Sequence, residues 1–454
     1  MLRFLWFKDI NEPNPKVVEF RFCRLVFGLR PSPAILGATI NHHLELYEDQ
    51  HPEMVNTIRS SLYVDDLVSG AQDDDEAFTI YKSARKIMAA GGFNLRKWNS
   101  NSTTLVEAIN DVEKGAEISA TTLKSSVTEA DTSYAKATIG QETSITGDMQ
   151  LKVLGVIWNT DSDKLMFTFS ELVKYARSLP LTKRSVLRLT SKIFDPVGFL
   201  SPFTVKMKAL FQELCIGKAD WDDELKGDLQ TRWNLILTEL ETLDNVRIPR
   251  CYFKSTCEPT TIELHGFSDA SQIAFAAVVY LRSVYEDGYV EVKLVASKTR
   301  VAPLKKQTIP RLELLGANIL ARLMDTVRNC LFVNQEIEMY NWTDSMTVLC
   351  WITNDKVWKQ YVQHRVQEIC KLTSRNSWKF CPGSKNPAHL PSHGLKANEL
   401  LTDTLWWDGP GFLYQPGSKW PKESTACPPA EIRSSKEEAL KEIVKRPTNA
   451  STRH

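Results

Sequence analysis

The sequence lacks several features that would have assigned its class at once. Its nine cysteines include no Cys-x-x-Cys pair. An odd, scattered set argues against a disulfide framework and fits a reduced, intracellular chain. No run approaches the ~20 apolar residues of a membrane span. The apolar opening "MLRFLWFK" gives way at once to "DINEPNP" and is too short for a secretory signal. Charge of one sign is missing too: 56 Lys and Arg face 55 Asp and Glu, for a net charge of +1. Only local patches can therefore speak for a nucleic-acid partner. A Walker loop and a dinucleotide glycine fingerprint are both absent, so neither ATP nor NAD is implied. The Asp-Thr/Ser-Gly motif of a retroviral-type aspartic protease does not occur, and "DTS" at 131–133 lacks the glycine.

What is present fits two or three globular domains. The chain has 454 residues, 43% hydrophobic and 24% charged. "LRFLWF" and "VVEFRFCRLVFGL" are strand-like, "SPAILGATINHHLELY" is helical, and "DEAFTIYKSARKIMAAGGFNL" is a helix ended by Gly91 and Gly92. Residues 100–149 turn to Ser, Thr, Ala and acids, with Tyr134 as the sole aromatic, and suggest a mobile insertion. A strand pair follows within 150–180, then a helical stretch to about 258. From 259 to 400 strands and helices alternate, predicting a mixed sheet flanked by helices. Residues 401–454 are expected to be largely irregular. The fold class is α/β (α+β).

Two sets of carboxylates stand out. Asp65 and Asp66 sit side by side in "SLYVDDLVSG", at the tip of an expected hairpin. Neighbouring carboxylates repel unless a cation or proton lies between them, although Asp is also a common turn residue. In the second set, Asp269 ends the strand "IELHGFSD" and Asp344 ends "IEMYNWTD". Glu313 lies beside the apolar stripe Leu312, Leu315, Ile319, Leu320 and Leu323, with Gly316 and Ala317 at its i+3 and i+4 positions. Small neighbours would let it lean toward the sheet. Three converging acids would call for Mg2+ or Mn2+, ions that serve phosphodiester cleavage in pairs. Read singly, Asp269 and Asp344 could be caps and Glu313 a surface residue.

Two basic, acid-free stretches suggest phosphate contacts. One is 174–192, with Lys183, Arg184 and Arg188. The other is 293–311, with Lys298, Arg300, Lys305, Lys306 and Arg311. A solvated charged face is the plainer alternative. Trp98, Trp158, Trp406 and Trp407 could stack on bases, but core packing is the commoner role. His389 and His393 are spaced i, i+4 after Cys381. Pro391 between them argues against a helix presenting both on one face, and hence against zinc.

With these residues in view, the chain resembles the Pol polyprotein of BEL/Pao-type LTR retrotransposons. "VFGLRPSPAILGATINHHLE", "YVDDLVSG", "GGFNLRKWNSNS", "LGVIWN", "SKIFDPVGFLSPFTVKMK", "FSDAS", "TIPRLELLGA" and "NWTDSMTVLCWI" follow in that family's order. The resemblance implies a partial reverse-transcriptase palm at 1–99, its end at 150–180, a thumb- or connection-like segment at 181–258, and an RNase H-like domain at 259–400. It makes Asp65 and Asp66 polymerase metal ligands. Their partner Asp would belong on an upstream strand, and Asp9 lies in a turn, so a palm unable to polymerise is expected. It makes Asp269, Glu313 and Asp344 three of four RNase H metal ligands. The fourth acid belongs in a motif like "NPADLASRG". Here the stretch is "NPAHLPSHG", which puts His389 at that position. Imidazole is a poor ligand for magnesium and a better one for manganese, so weakened cleavage of RNA·DNA hybrids is expected. The alternatives are a non-catalytic nucleic-acid-binding relic, or a subunit complementing another Pol chain. A peptidase name is attached to part of this family, but no residue here supports that activity.

Overall fold

The computed structural model describes residues 3–26, 28–121, 151–153, 155–253, 257–333, 335–422 and 429–443. It forms two compact units, one of residues 1–149 with 160–162 and one of 150–159 with 163–454. Among the described residues, no helix is long and apolar enough to cross a membrane.

The first unit opens with the antiparallel pair β1 (Arg3–Phe7) and β2 (Val17–Arg21). Helices α1 (Ser32–Glu45), α2 (Pro52–Ser61) and α3 (Asp74–Ala90) bury Ile40, Leu44, Val55, Ile58, Ile87 and Met88 together. Between α2 and α3 lies a two-residue hairpin, β3 (Leu62–Tyr63) and β4 (Asp66–Leu67). The expected mobile insertion is helical at its start. Helix α4 (Thr103–Thr121) buries Leu105 and Ile109 against Tyr81, and the Tyr81 hydroxyl donates to Glu113 at 2.6 Å. Residues 122–149, including "DTS" and Tyr134, lie outside the described residues.

The second unit takes in more than the sequence had grouped together. The strand pair expected to end the palm joins a four-stranded antiparallel sheet: β5 (Leu151–Val153), β6 (Val156–Asn159), β7 (Lys164–Met166) and β8 (Arg247–Pro249). Four helices lie in the sequence between β7 and β8: α5 (Ser170–Arg177), α6 (Lys183–Lys192), α7 (Ser201–Ile216) and α8 (Asp228–Thr242). The main sheet runs β11-β10-β9-β12-β13, with β9 (Thr261–Ala270), β10 (Ala274–Val284), β11 (Val290–Val301), β12 (Glu338–Thr343) and β13 (Trp378–Phe380). The first three strands are antiparallel, and β12 lies parallel to both β9 and β13.

Both faces of this sheet are covered, which is why β10 carries the unbroken apolar run "AFAAVVYL". Leu264, Val279 and Leu281 pack beneath α9 (Ile309–Leu331), α10 (Met346–Thr353) and α11 (Gln360–Leu372). Phe267, Val278, Tyr280 and Trp342 share the opposite core with α5 to α8. The segment set apart as thumb- or connection-like is therefore bound to the sheet by a common core.

The expectation of an irregular C-terminus is corrected for the described residues 401–422 and 429–443. Short helices α12 (His389–His393), α13 (Ala397–Thr402) and α14 (Thr404–Trp407), with the 3-10 turns after them, bury Trp406, Phe412, Leu413 and Trp420 on the sheet. Arg282 locks the arrangement, donating to Glu263 at 2.7 Å and to the Leu413 carbonyl at 2.6 Å. Helix α15 (Pro429–Leu440) docks on α10, where Trp351 Nε1 donates to Ala439 O at 3.1 Å. The aromatic side chains supply the apolar area that composition alone obscured.

The motif "FDPVGFL" is the joint between helices and sheet. The half-buried Asp195 accepts from the backbone N–H groups of Gly198, Phe199 and Leu200 at 2.8–3.0 Å. Gly198 has φ +83°, and a Cβ there would meet Ser297 O at 2.2 Å. Gly198→Ala combines backbone strain with a clash against a strand, and should cost at least ~2 kcal/mol. Urea unfolding of the variant checks this, and unchanged stability would show that the joint does not approach the sheet this closely.

Candidate active site at the sheet margin

Strand register brings the second carboxylate set together. Thr343 of β12 is paired in parallel with Ser268 of β9, so the next residues, Asp344 and Asp269, emerge side by side. Helix α9 crosses close to this point: a Cβ on Gly316 would lie 2.9 Å from Asp269 O. One turn earlier on α9 stands Glu313. The small residue at i+3 thus allows the approach that the sequence suggested. None of the three acids plays the simpler role. Ser345 is the cap of α10, accepting from Val348 N at 3.2 Å, and its hydroxyl also donates to Glu313. Asp269 is buried within the end of β9, and Glu313 is half-buried.

The electrostatics follow from this crowding. Burial, reinforced by the negative charge of Asp269, pushes Glu313 up to about 7. Burial with the charges of Asp269 and Glu313 pushes Asp344 up to about 8. Asp344 Oδ1 is buried without a hydrogen-bond partner, and Gly383 sits close to Oδ2. Among the described residues, no Lys or Arg lies within ion-pair distance of these carboxylates; the imidazoles of His389 and His393 approach Asp269 alone. Unpaired acid oxygens of this kind fit a divalent ion with a preference for oxygen donors. Asp269, Glu313 and Asp344 would be the residues to hold it, after side-chain movement: among the described residues, the group whose ligand atoms already lie within 4.8 Å of one another is Asp269, His389 and His393.

Several participants escaped sequence reasoning. Ser392 donates to Asp269, and Ser271 donates to Ser392 O at 2.7 Å. Asn386, fully buried, donates to Ser268 O at 3.0 Å and lies against Asp344. Ser and Asn in "NPAHLPSHG" were available as a signal, but their partners lie more than a hundred residues away. Pro391 does not keep the two histidines apart, contrary to expectation. His389–His393 is one helical turn with both imidazoles on one side, ring centroids 3.9 Å apart. Proline falls in the first turn, where a missing N–H breaks no intrahelical bond. Contact with the Asp269 carboxylate raises His389 above its ordinary value. Cys381 is buried beside Asp344 and stays out of the His–His–Asp group.

Asp65 and Asp66 lie in a different setting. Their hairpin pairs Tyr63 with Asp66, and Val64 takes the left-handed conformation at φ 57°. All four residues are exposed. Among the described residues, no third His, Cys, Asp or Glu joins the pair in a metal-sized group.

The basic stretches divide. Arg184 is engaged by Asp222 at 2.7 Å, Arg311 by Glu442 at 3.0 Å, and Arg188 donates to the Tyr175 hydroxyl at 3.3 Å. Lys183 donates to Ala219 O at 3.3 Å. Lys298, Arg300, Lys305 and Lys306 are exposed, without an ion-pair partner among the described residues. Lys298 and Arg300 flank Thr299, which lies in register with Ala276 and through it with Asp269. Two strand spacings, about 10 Å, separate the backbone of Thr299 from that of Asp269, and strand alternation turns Lys298 and Arg300 to the opposite face of the sheet. The tryptophans favour packing: Trp406 is fully buried with Nε1 on Phe199 O, Trp407 donates to Leu400 O, and Trp158 to Asp163. Trp98 stands edge-on to Tyr81.

Residues 182–345 match the family model described as the Pao retrotransposon-like RNaseH-like domain. This supports the resemblance to Pao-type retrotransposon Pol and an RNase H-like region at these residues. The match takes in Asp269, Glu313 and Asp344, and the α6–α8 helices that share their core. No curated protein matches the chain.

The raised carboxyls give a pH prediction for the metal-free protein. In the folded state Glu313 and Asp344 keep their protons up to about 7 and about 8. The unfolded chain releases them near pH 4. Between these limits the unfolded state binds fewer protons, so these groups lower stability as pH rises. In chelator, the Tm of Asp344→Asn should exceed that of the parent at pH 8 by more than at pH 5. An equal difference at both pH values would show that Asp344 ionises freely.

Proposed function

We propose that the region 259–400 hydrolyses the RNA strand of an RNA·DNA hybrid with Mg2+ or Mn2+ at Asp269, Glu313 and Asp344, in a chain related to retrotransposon Pol. The observation that carries this reading is the gathering of three carboxylates at one sheet margin, Asp269 buried and Glu313 and Asp344 half-buried, with the last two holding protons up to about 7 and about 8. When bound, divalent ions would activate a water and stabilise the leaving oxygen. The chain's own part is positioning. Parallel register fixes Asp269 and Asp344, and Ser345 orients Glu313. Lys298, Arg300, Lys305 and Lys306 would neutralise phosphates nearby. A nitrogen donor at His389 favours manganese over magnesium, and so predicts weak hydrolysis in magnesium.

A second reading is nucleic-acid binding without catalysis, favoured by His389 at the fourth ligand position. The palm-like region 1–99 with Asp65 and Asp66 would be a reverse-transcriptase relative. Its exposed pair, without a third ligand among the described residues, favours a non-polymerising role. Primer extension above background would overturn that role.

Labelled RNA·DNA hybrid separates the first two readings. Cleavage is expected in manganese, less in magnesium, and at least ~100-fold less with Asp269→Asn. His389→Asp should raise the magnesium rate. No cleavage in either metal removes the hydrolase and leaves the binding reading. Binding is checked by salt titration: Lys298→Glu with Arg300→Glu should weaken hybrid affinity and reduce the salt slope by about one for each phosphate no longer neutralised. An unchanged slope would remove the edge strand β11 from the interface.

A further inference from the structure

The two imidazoles over Asp269 are unexplained by oxygen-ligand chemistry. His389 Nδ1 lies 3.4 Å and His393 Nδ1 3.9 Å from Asp269 Oδ2. One ligand atom from each of the three residues falls within 4.8 Å of the others. A tetrahedral zinc site with bonds of about 2.0–2.1 Å sets its ligand atoms about 3.3 Å apart. The His389–Asp269 separation already has that length. The imidazoles are about half exposed, with side-chain values of 51% and 45%; His393 Nδ1 lies 2.9 Å from Ser392 Oγ and 3.1 Å from His389 O, contacts that it would exchange for the metal by ring rotation. Asp269 is held rigidly, 5% exposed and bonded by Ser392, whose backbone carbonyl is itself held by Ser271.

We propose that Asp269, His389 and His393 form a transition-metal site of the zinc type. Two nitrogens and one carboxylate oxygen leave a fourth position open to water. That donor set suits Zn2+ or Co2+, whereas magnesium takes oxygen ligands and keeps its waters. The inference stands on ligand geometry and does not rest on the hydrolysis proposed above. It does share Asp269 with that site, so zinc bound here would draw Asp269 away from Glu313 and Asp344. Metals with a taste for nitrogen should then inhibit any magnesium-dependent reaction.

The full chain, stripped with chelator and titrated with Co2+, tests the site. We expect the visible absorption of tetrahedral cobalt, abolished by stoichiometric Zn2+ and insensitive to a large excess of Mg2+. His389→Ala and His393→Ala should each weaken cobalt binding at least ~10-fold, with His→Asn variants as controls for folding by circular dichroism. Glu313→Gln should bind cobalt as the parent does. It would also abolish the hydrolysis proposed above, whereas a parent chain that binds cobalt but cleaves nothing loses the hydrolase reading alone. A folded parent with no tetrahedral cobalt spectrum overturns the site. So does unchanged cobalt affinity in either histidine variant, or displacement of cobalt by equimolar magnesium.

Discussion

The arrangement around the sheet margin depends on how expensive it is to hold like charges together away from water. Two unit charges 4 Å apart interact by about 1 kcal/mol in water, and by about 4 kcal/mol at the effective dielectric of a protein surface. Asp269, Glu313 and Asp344 occupy the second regime. Two of them respond by holding protons to unusually high pH. The remainder of the unit enforces this proximity. The parallel pairing of β9 with β12, the close approach of α9 at its glycine and the hydrogen bond from Ser345 to Glu313 keep the three acids near one another.

That constraint explains why the helical segment and the C-terminal aromatics belong to the same unit as the sheet. A site built by strand register is only as firm as the sheet, and a five-stranded sheet needs both faces covered. One face is covered by α9, α10 and α11. The other is covered by α5 to α8 together with Trp406, Phe412 and Trp420. Glu263 and Arg282 form a buried ion pair on this second face, with His265 against Glu263, and Arg282 reaches both a strand and the C-terminal segment. The matched family region likewise begins at the cap of α6 and ends just past Asp344.

Local patterns were legible where local physics decides. The hairpin at Asp65–Asp66, the end of α3 at Gly91 and the strand ends at Asp269 and Asp344 all follow from turn chemistry and periodicity. What escaped depends on partners distant in sequence. Helix α4 hides Leu105, Ile109 and Glu113, an i, i+4, i+8 row, among serines and threonines, and its partner Tyr81 lies in another helix. The C-terminal turns look polar because only a few aromatics in them carry the packing. Pro391 misleads because the helix-breaking rule has no force in a segment just one turn long.

The contrast between the two carboxylate sets is a contrast of solvation. Asp65 and Asp66 share an exposed turn, where water screens their repulsion and no counter-ion is demanded. The unusual feature there is backbone strain, since Val64 is β-branched and left-handed, a combination that usually needs glycine. At the sheet margin the backbone is regular and the strain is electrostatic. An imidazole at His389 adds nothing to it, since a carboxylate there would bring further repulsion while an imidazole can carry a proton or share a metal. The same imidazole that weakens the case for magnesium therefore also makes the metal-free fold easier to hold. With His393 one turn away, it changes the chemistry on offer from oxygen to nitrogen.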